Sequence, residues 1–458
     1  MTERRVTFPK GLAGLKDFPR KHEGLFNMFN TGRDELLPRP GIDSFAEGVA
    51  NCRGQHKFKN ILYQVSGQKL IQIDRDTTVT ELGPIDITST QETEMDDDFV
   101  NLVIVVKGDR GYFYDGATVQ EITDPNYITS IDVANISGRS VFIPEDGGPA
   151  FFSDEFDPGT IQAASFFDAE TQPDFNTGVI NLRERLYILG EETCEPFRFT
   201  GTGTIPFARI EGGSVWTGYT AGKVFYKNSF AFLGKDKDEG FGFFVMGSGE
   251  ATRISSPEID EILNDENEYS IEDLKSCIGN RFQWKGLDAV AFRLPGRTLA
   301  FNGVGWVFLE SLVDGAEIVP WFTKYITHAY GQYYTGQANN AQIGKLSDAA
   351  TDFGERVEFG FDTYVKGARQ DYFTLNSVQL DGLAGQITPE FTVGLEMSDD
   401  GQTYGERFYE GLGEVGEVLQ QVTWEFPGGL GDYESFAGMR FRTAAPVRIS
   451  SEGVLVDI

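Results

Sequence analysis

The sequence predicts an all-β protein. A β-propeller of six or seven blades occupies residues 41–350, with a short helical insertion near 257–275. A separate antiparallel β-domain follows over 351–458, and an N-terminal arm precedes over 1–40. Three observations predict this. A unit of short β-rich run, Gly-containing turn and second β-rich run recurs along the chain. Its turn glycines lie near Gly67, Gly111, Gly148, Gly190, Gly240, Gly296 and Gly336, about 40 to 55 residues apart, close to the period of a four-stranded blade. The chain also holds 38 Phe, which suits sheets that bury both faces against neighbours around an axis. A large β-sandwich or a pair of barrels is the rival arrangement.

Residues 1–40 read as irregular, an interaction or closure segment, and Arg39-Pro40-Gly41 leads into the first blade. Residues 63–73 form the clearest hairpin, turning at Ser66-Gly67. Further hairpins follow at 102–114, 141–152, 185–199, 230–246 and 289–301. A strand over 328–334 turns at Gly336 with 342–346 behind it. Two helices break the pattern. Residues 257–263 carry Ser256 at the N-cap, Pro257 at the first helical position and acids in the first turn. Residues 270–274 begin a second, with Ser270 and Asp273 as a capping box. Beyond Thr351, strands are expected over 358–365, 377–380, 391–397, 422–426, 439–442 and 447–449, with turns at Asp399-Asp400-Gly401 and Pro427-Gly428-Gly429.

Composition excludes several classes. There are 39 Lys+Arg against 70 Asp+Glu among 458 residues, a net charge of −31. Such a balance opposes DNA-backbone binding, which needs clustered cations. Aromatics at 13% exclude a disordered acidic tail. Three Cys exclude a disulfide scaffold. No apolar run follows the basic residues of 1–14, and the longest apolar runs (102–106, 243–246) are far too short to span a bilayer, so neither a signal peptide nor a membrane segment is expected. Acidity on this scale gives solubility, as it does in a salt-adapted proteome.

No catalytic, cofactor-binding or metal site is expected. Gly218-Tyr219-Thr220-Ala221-Gly222-Lys223-Val224 is one residue short of a phosphate-binding loop and has Val where the hydroxyl belongs, so it reads as a loop between blades. Gly201-Thr202-Gly203 and Gly247-Ser248-Gly249 complete no dinucleotide fingerprint, and no Gly-x-Ser-x-Gly elbow occurs. His22, His56 and His328 are far apart in sequence. Cys52 lies four residues from His56, but Cys194 and Cys277 lack paired spacing, so each Cys reads as a buried small apolar residue. Residues 94–98 are an acidic run that reads as a solvated loop, Ca²⁺ binding needing more chelating geometry than spacing supplies. Ser398-Asp399-Asp400-Gly401-Gln402-Thr403-Tyr404 resembles the Asp-box turn of sialidase-type propellers. It occurs once, is a residue short and lies outside the propeller, and no arginine cluster for a substrate carboxylate is identifiable. The plain reading is a hairpin turn; a glycan-binding or glycosidase-type propeller is the alternative function.

The ordered motifs carry a resemblance. They are Leu37-Pro38-Arg39-Pro40-Gly41-Ile42, the segments 63–70 and 129–133, Phe151-Phe152-Ser153-Asp154 and Thr171-Gln172-Pro173-Asp174. The series continues with 245–251 ahead of the helix holding Ile259, Leu294-Pro295-Gly296-Arg297 ahead of Trp306, and 400–406. In this order and spacing the chain resembles the packaged-DNA stabilisation proteins of short-tailed bacteriophages, also called tail hub or head-completion proteins. The resemblance implies a structural, non-enzymatic virion protein with no cofactor. It implies a homohexameric ring in the tail, assembled in the host cytoplasm and seated below the portal and its adaptor ring. It also implies a needle, plug or distal nozzle component as partner, and fibres or spikes on the same collar. It further implies that DNA passes the lumen without specific binding; the charge of −31 leads to the expectation of an acidic lumen along which a polyanion slides.

Overall fold

The computed structural model describes residues 3–458 except 16–17, 169–173, 248, 367–371, 386–390, 402, 413–419, 435 and 451–452. Of the residues singled out above, Thr171, Gln172, Pro173, Ser248 and Gln402 lie outside the described residues, as does the side chain of His22.

The propeller has seven blades. Their inner strands are Cys52–Phe58, Thr93–Asp97, Ser130–Ile136, Asn176–Leu182, Gly218–Tyr226, Ile278–Trp284 and Thr323–Ala329. Three further antiparallel strands follow outward in each blade. Consecutive inner strands touch in order, and the seventh touches the first, so the ring is closed. Each of the seven spaced glycines belongs to a different blade, in or beside the connection between its second and third strands. The outer strand of the seventh blade is Gly41–Glu47, antiparallel to Gln342–Ser347. The chain's early and late segments thus share one sheet. Gly41 is required there, because a Cβ would lie 2.2 Å from the Ala349 carbonyl oxygen.

Strand alternation explains the Phe content. In the second blade, Leu102, Ile104 and Val106 face the first blade, while Val103 and Val105 face the third. Every residue of this strand is buried, as the strict period of two demands when both faces are covered. Six apolar clusters occupy six of the seams, and a seventh reaches the seam between the sixth and seventh blades and continues into the C-terminal domain. Rings fill them: Phe142 stacks on Phe151 at 5.1 Å, Phe167 on Phe207 at 4.6 Å, and Phe243 lies 4.2 Å from Phe292 and 4.8 Å from Trp306.

Both helices lie between the fifth and sixth blades, over Pro257–Asn264 and Ile271–Lys275. Ile259, Leu263 and Leu274 join the seam cluster there. Ser270 and Asp273 form the expected capping box, whereas Ser256 occupies its N-cap without a side-chain cap bond. The strand expected over 328–334 is divided by a turn at Tyr330 and Gly331, both left-handed.

A β-sandwich completes the chain. One sheet runs Glu3–Val6, Val454–Asp457, Tyr372–Gly385, Val447–Ser450, Glu35–Pro38, Met28–Asn30, with Gln420–Glu434 also paired to Tyr372–Gly385. The other runs Phe18–Phe26, Phe359–Lys366, Phe436–Thr443, Thr392–Ser398, Phe408–Gly411. Phe361, Leu375, Leu380, Leu395, Trp424 and Phe441 are buried between them. Two expectations are corrected here. The described residues of 1–40 are not irregular but supply five strands, three of them paired with the C-terminal region (Glu3–Val6, Phe18–Phe26 and Glu35–Pro38); those partners are too distant in sequence to leave a local pattern. Pro427-Gly428-Gly429 is not a turn between strands but an interruption inside Gln420–Glu434, where left-handed Gly428 and Gly429 accompany a slipped register.

Phe26 pairs in parallel with Phe308, so the sixth blade and the second sandwich sheet form one continuous sheet. Arg39 and Asp352 pin this junction, both side chains fully buried. All five guanidinium N–H groups are used: Nε donates to Asn27 Oδ1 (2.7 Å), and the terminal nitrogens donate to both Asp352 oxygens (2.9 and 2.6 Å) and to the Pro40 and Glu310 carbonyls (2.8 and 2.6 Å). The guanidinium lies 5.1 Å from the Trp321 ring, and Ser311 Oγ donates to Asp352 at 2.5 Å. The lead-in Arg39-Pro40-Gly41 is therefore a structural lock.

Candidate functional site

An inner strand has a backbone-paired neighbour on one side only, so its axial edge needs other partners. Side chains supply them from blade to blade. Asp96 accepts from Asn135 N at 2.6 Å, and Asn181 Nδ2 donates to the Asn135 carbonyl at 2.7 Å. Asp132 accepts from Val179 N at 2.7 Å. Asn280 accepts from Ile326 N at 2.7 Å and donates to the Lys324 carbonyl at 2.9 Å. His56 meets Asp97 across the first seam at 2.9 Å.

Ion pairs line the axis. Glu92 accepts from Lys324 Nζ at 2.6 Å and from the Tyr325 hydroxyl at 2.8 Å. Lys107 pairs with Glu94 at 2.8 Å. Lys223 donates to Asp132 and, at 2.7 Å, to the Val179 carbonyl. Burial opposes ionisation of Glu94, but Lys107 and Lys223 outweigh it and hold its carboxyl below the usual range. For Asp132 burial wins over Lys223, and its carboxyl is pushed up. Burial raises the Tyr219 and Tyr325 hydroxyls well above the ordinary phenol value, with the neighbouring carboxylates adding to it.

A cavity of about 930 Å³ opens at the axis, lined by the second to fifth blades and the second helix, with Glu94, Lys107, Asp132 and Tyr219 in its wall. Its wall mixes carboxylates (Glu145, Asp146, Glu191) with Lys235, Lys237 and Lys275. Phe175, Trp216 and Ile271 also line it, each more than half exposed.

The structure relocates several sequence candidates. Gly218–Val224 is not a loop between blades but part of the fifth inner strand, bulged at left-handed Gly222, and its Lys223 is spent on Asp132. The run 94–98 is not a solvated loop: it spans the second inner strand, and Asp98, fully buried, accepts from the Val100 and Asn101 amides. Acids stand in both strands because inner strands face a polar axis. Cys52, Cys194 and Cys277 are free and buried; burial pushes the Cys52 thiol up to about 12 and the other two higher. His328 packs 4.9 Å from Tyr333, apart from His56 and its Asp97 partner. The Asp-box-like segment is the hairpin turn between Thr392–Ser398 and Phe408–Gly411, with Asp400 accepting from Thr403 N at 2.7 Å. Arginines do gather beneath it, Arg407, Arg440 and Arg442, but each is committed to Glu358, Glu396 or Asp362. A sugar carboxylate would have to displace all three acids. The axial residues Glu92, Lys107 and Lys324 were not singled out in the sequence, and Asp132 entered only as part of the 129–133 motif; Glu92 and Lys107 flank their strands, where no periodicity marks them.

A family model described as Bacteriophage P22 Gp10, beta-propeller, matches residues 25–351, and one described as Bacteriophage P22 Gp10, beta-sandwich, matches residues 358–458. The chain is similar to the tail hub protein gp10 of Salmonella phage P22, with 24% identity over 446 residues, covering 90% of this chain and 89% of that protein. Among solved structures it is similar to virginiamycin B lyase from Staphylococcus aureus (10% identity, TM-score 0.44, 65% of this chain and 94% of that one). It is also similar to BamB from Moraxella catarrhalis (12% identity, TM-score 0.36, 76% and 96%). A closed seven-blade ring followed by a sandwich, each matched by its own family model in the same order, makes this chain a member of the bacteriophage P22 Gp10 family.

Proposed function

We propose that the chain is a structural, non-enzymatic protein of a short-tailed phage virion, located in the tail. Six copies form the hub ring below the portal and its adaptor, carry the needle, plug or distal nozzle component, and offer a collar for fibres or spikes. The observation that carries this reading is the tandem match of both domains, with near-complete mutual coverage of a tail hub protein. Ion pairs and tyrosines line each propeller axis; in this reading the DNA path runs between copies, along the ring axis. The charge of −31 per copy makes that lumen repel rather than hold a polyanion. Retention then comes from the plug, through protein contacts.

Light scattering after size exclusion, with and without a purified portal–adaptor complex, tests the proposal. Six copies joining each portal–adaptor complex are expected, with stronger association as salt screens the self-repulsion. A chain that stays monomeric and never joins the complex, or one that hydrolyses glycosides, overturns it.

A further inference from the structure

We propose that His56, Asp96 and Asp97 form a binding site for a divalent transition-metal ion that bridges the first two blades. The three residues come from two inner strands, Cys52–Phe58 and Thr93–Asp97, that share no backbone ladder. One ligand atom from each lies within 4.8 Å of the others, the only such group of three His, Cys, Asp or Glu among the described residues. Metal–ligand distances near 2.1 Å set neighbouring ligand atoms about 3.3 Å apart in a tetrahedral shell. The His56 Nε2 to Asp97 Oδ2 separation of 2.9 Å needs only a small opening to accept an ion.

The carboxylates are already oriented. Asp97 Oδ1 accepts from Phe99 N at 3.0 Å, leaving Oδ2 towards the imidazole. Asp96 is held through both oxygens, by Asp97 N at 2.9 Å and Asn135 N at 2.6 Å. Backbone donors of this kind fix a ligand while leaving lone pairs free. The charge balance is a separate observation. Two adjacent carboxylates lie within 4.8 Å of one imidazole, Lys57 adds positive charge near Asp97 only, and no Lys or Arg among the described residues forms an ion pair with Asp96. A bound dication supplies the missing charge. The side chains of His56 and Asp97 keep 24% and 19% exposure, so an ion can reach them. One imidazole nitrogen with two carboxylates suits Zn²⁺, Mn²⁺ or Fe²⁺ rather than Ca²⁺ or Mg²⁺, which prefer oxygen throughout.

The test uses the full chain, stripped with chelator and titrated calorimetrically with Zn²⁺ and, in parallel, with Ca²⁺. One Zn²⁺ per chain is expected, bound at least tenfold more tightly than Ca²⁺. His56→Gln and Asp97→Asn should each weaken Zn²⁺ at least tenfold, with metal-free urea midpoints near wild type. Zinc-edge X-ray absorption on the wild type should show one imidazole nitrogen and oxygen neighbours, which keeps the test decisive if a variant fails to fold. Absence of a Zn²⁺ site, equal Ca²⁺ binding, Zn²⁺ affinity unchanged in His56→Gln, or sulfur in the shell would each overturn the assignment.

Discussion

Each of the first six blades is cut from one continuous stretch of chain, and only the seventh borrows a strand, Gly41–Glu47. The sandwich is assembled in the opposite way: Glu3 pairs with Asp457, Glu35 with Ser450 and Leu25 with Phe361. Both regions bury sheet against sheet, but the propeller does so mostly with local contacts and the sandwich partly with contacts spanning nearly the whole chain. Local pairing closes small loops at low entropic cost, whereas distant pairing depends on the rest being in place. The N-terminal strands of the sandwich therefore depend on the rest of the chain being in place.

Arg39 gives the strongest test of that dependence, since it joins the regions and is wholly buried. Arg39→Ala strands Asp352 without its partner and should cost about 5 kcal/mol, the upper end for breaking a buried pair. Urea unfolding followed by tryptophan fluorescence should show sandwich and propeller losing stability together. Replacing both residues by apolar side chains of matching size should recover much of the loss. A full-sized loss confined to one region would break the comparison.

The same contrast decides what the sequence made legible. The seven glycines at 67, 111, 148, 190, 240, 296 and 336 could be read because a blade's turn and its strands are neighbours in the chain. The strands of residues 3–38 could not, since Glu3 finds its partner at Asp457 and nothing nearby in sequence marks either end. The acidic run at 94–98 misled for another reason: alternation of apolar and polar residues marks a strand facing water, while this strand faces a charged axis. The axial pairs stayed hidden because Asp132 meets Lys223 and Glu92 meets Lys324 across blades, and spacing records no such meeting. Arg39 was noticed as part of a motif, yet its five hydrogen bonds depend on residues as distant as Asp352.

Within the propeller, Phe243→Ala sharpens the comparison. It empties the seam between the fifth and sixth blades, where Phe243 meets Phe292 and Trp306. The cost should be about 3 kcal/mol, the low end for a buried Phe, because neighbouring blades can close part of the void. Hydrogen exchange should rise along Gly240–Met246 and Leu287–Leu294 while Phe436–Thr443 stays protected. Equal loss of protection in the sandwich would mean that the seams are not independent.

The smallest effect belongs to the most local device, the capping box of the second helix. Ser270→Ala removes the hydroxyl that accepts from Asp273 N and donates to the Asp273 carboxylate, and should cost about 1 kcal/mol at neutral pH. Hydrogen bonds from the Ser270 hydroxyl and backbone N–H hold the Asp273 carboxyl below its ordinary range. A depressed folded value means the stabilisation is complete above the unfolded value, about 3.9 for Asp, and fades as pH falls through the folded one. The urea-midpoint difference between wild type and Ser270→Ala should accordingly be constant from pH 7 to 5 and shrink below pH 4. A difference that persists unchanged in acid would assign the cap's contribution to the hydroxyl alone. Exchange rates in the sandwich should not move at any pH, because nothing in this cap reaches beyond its own turn and the seam beneath it.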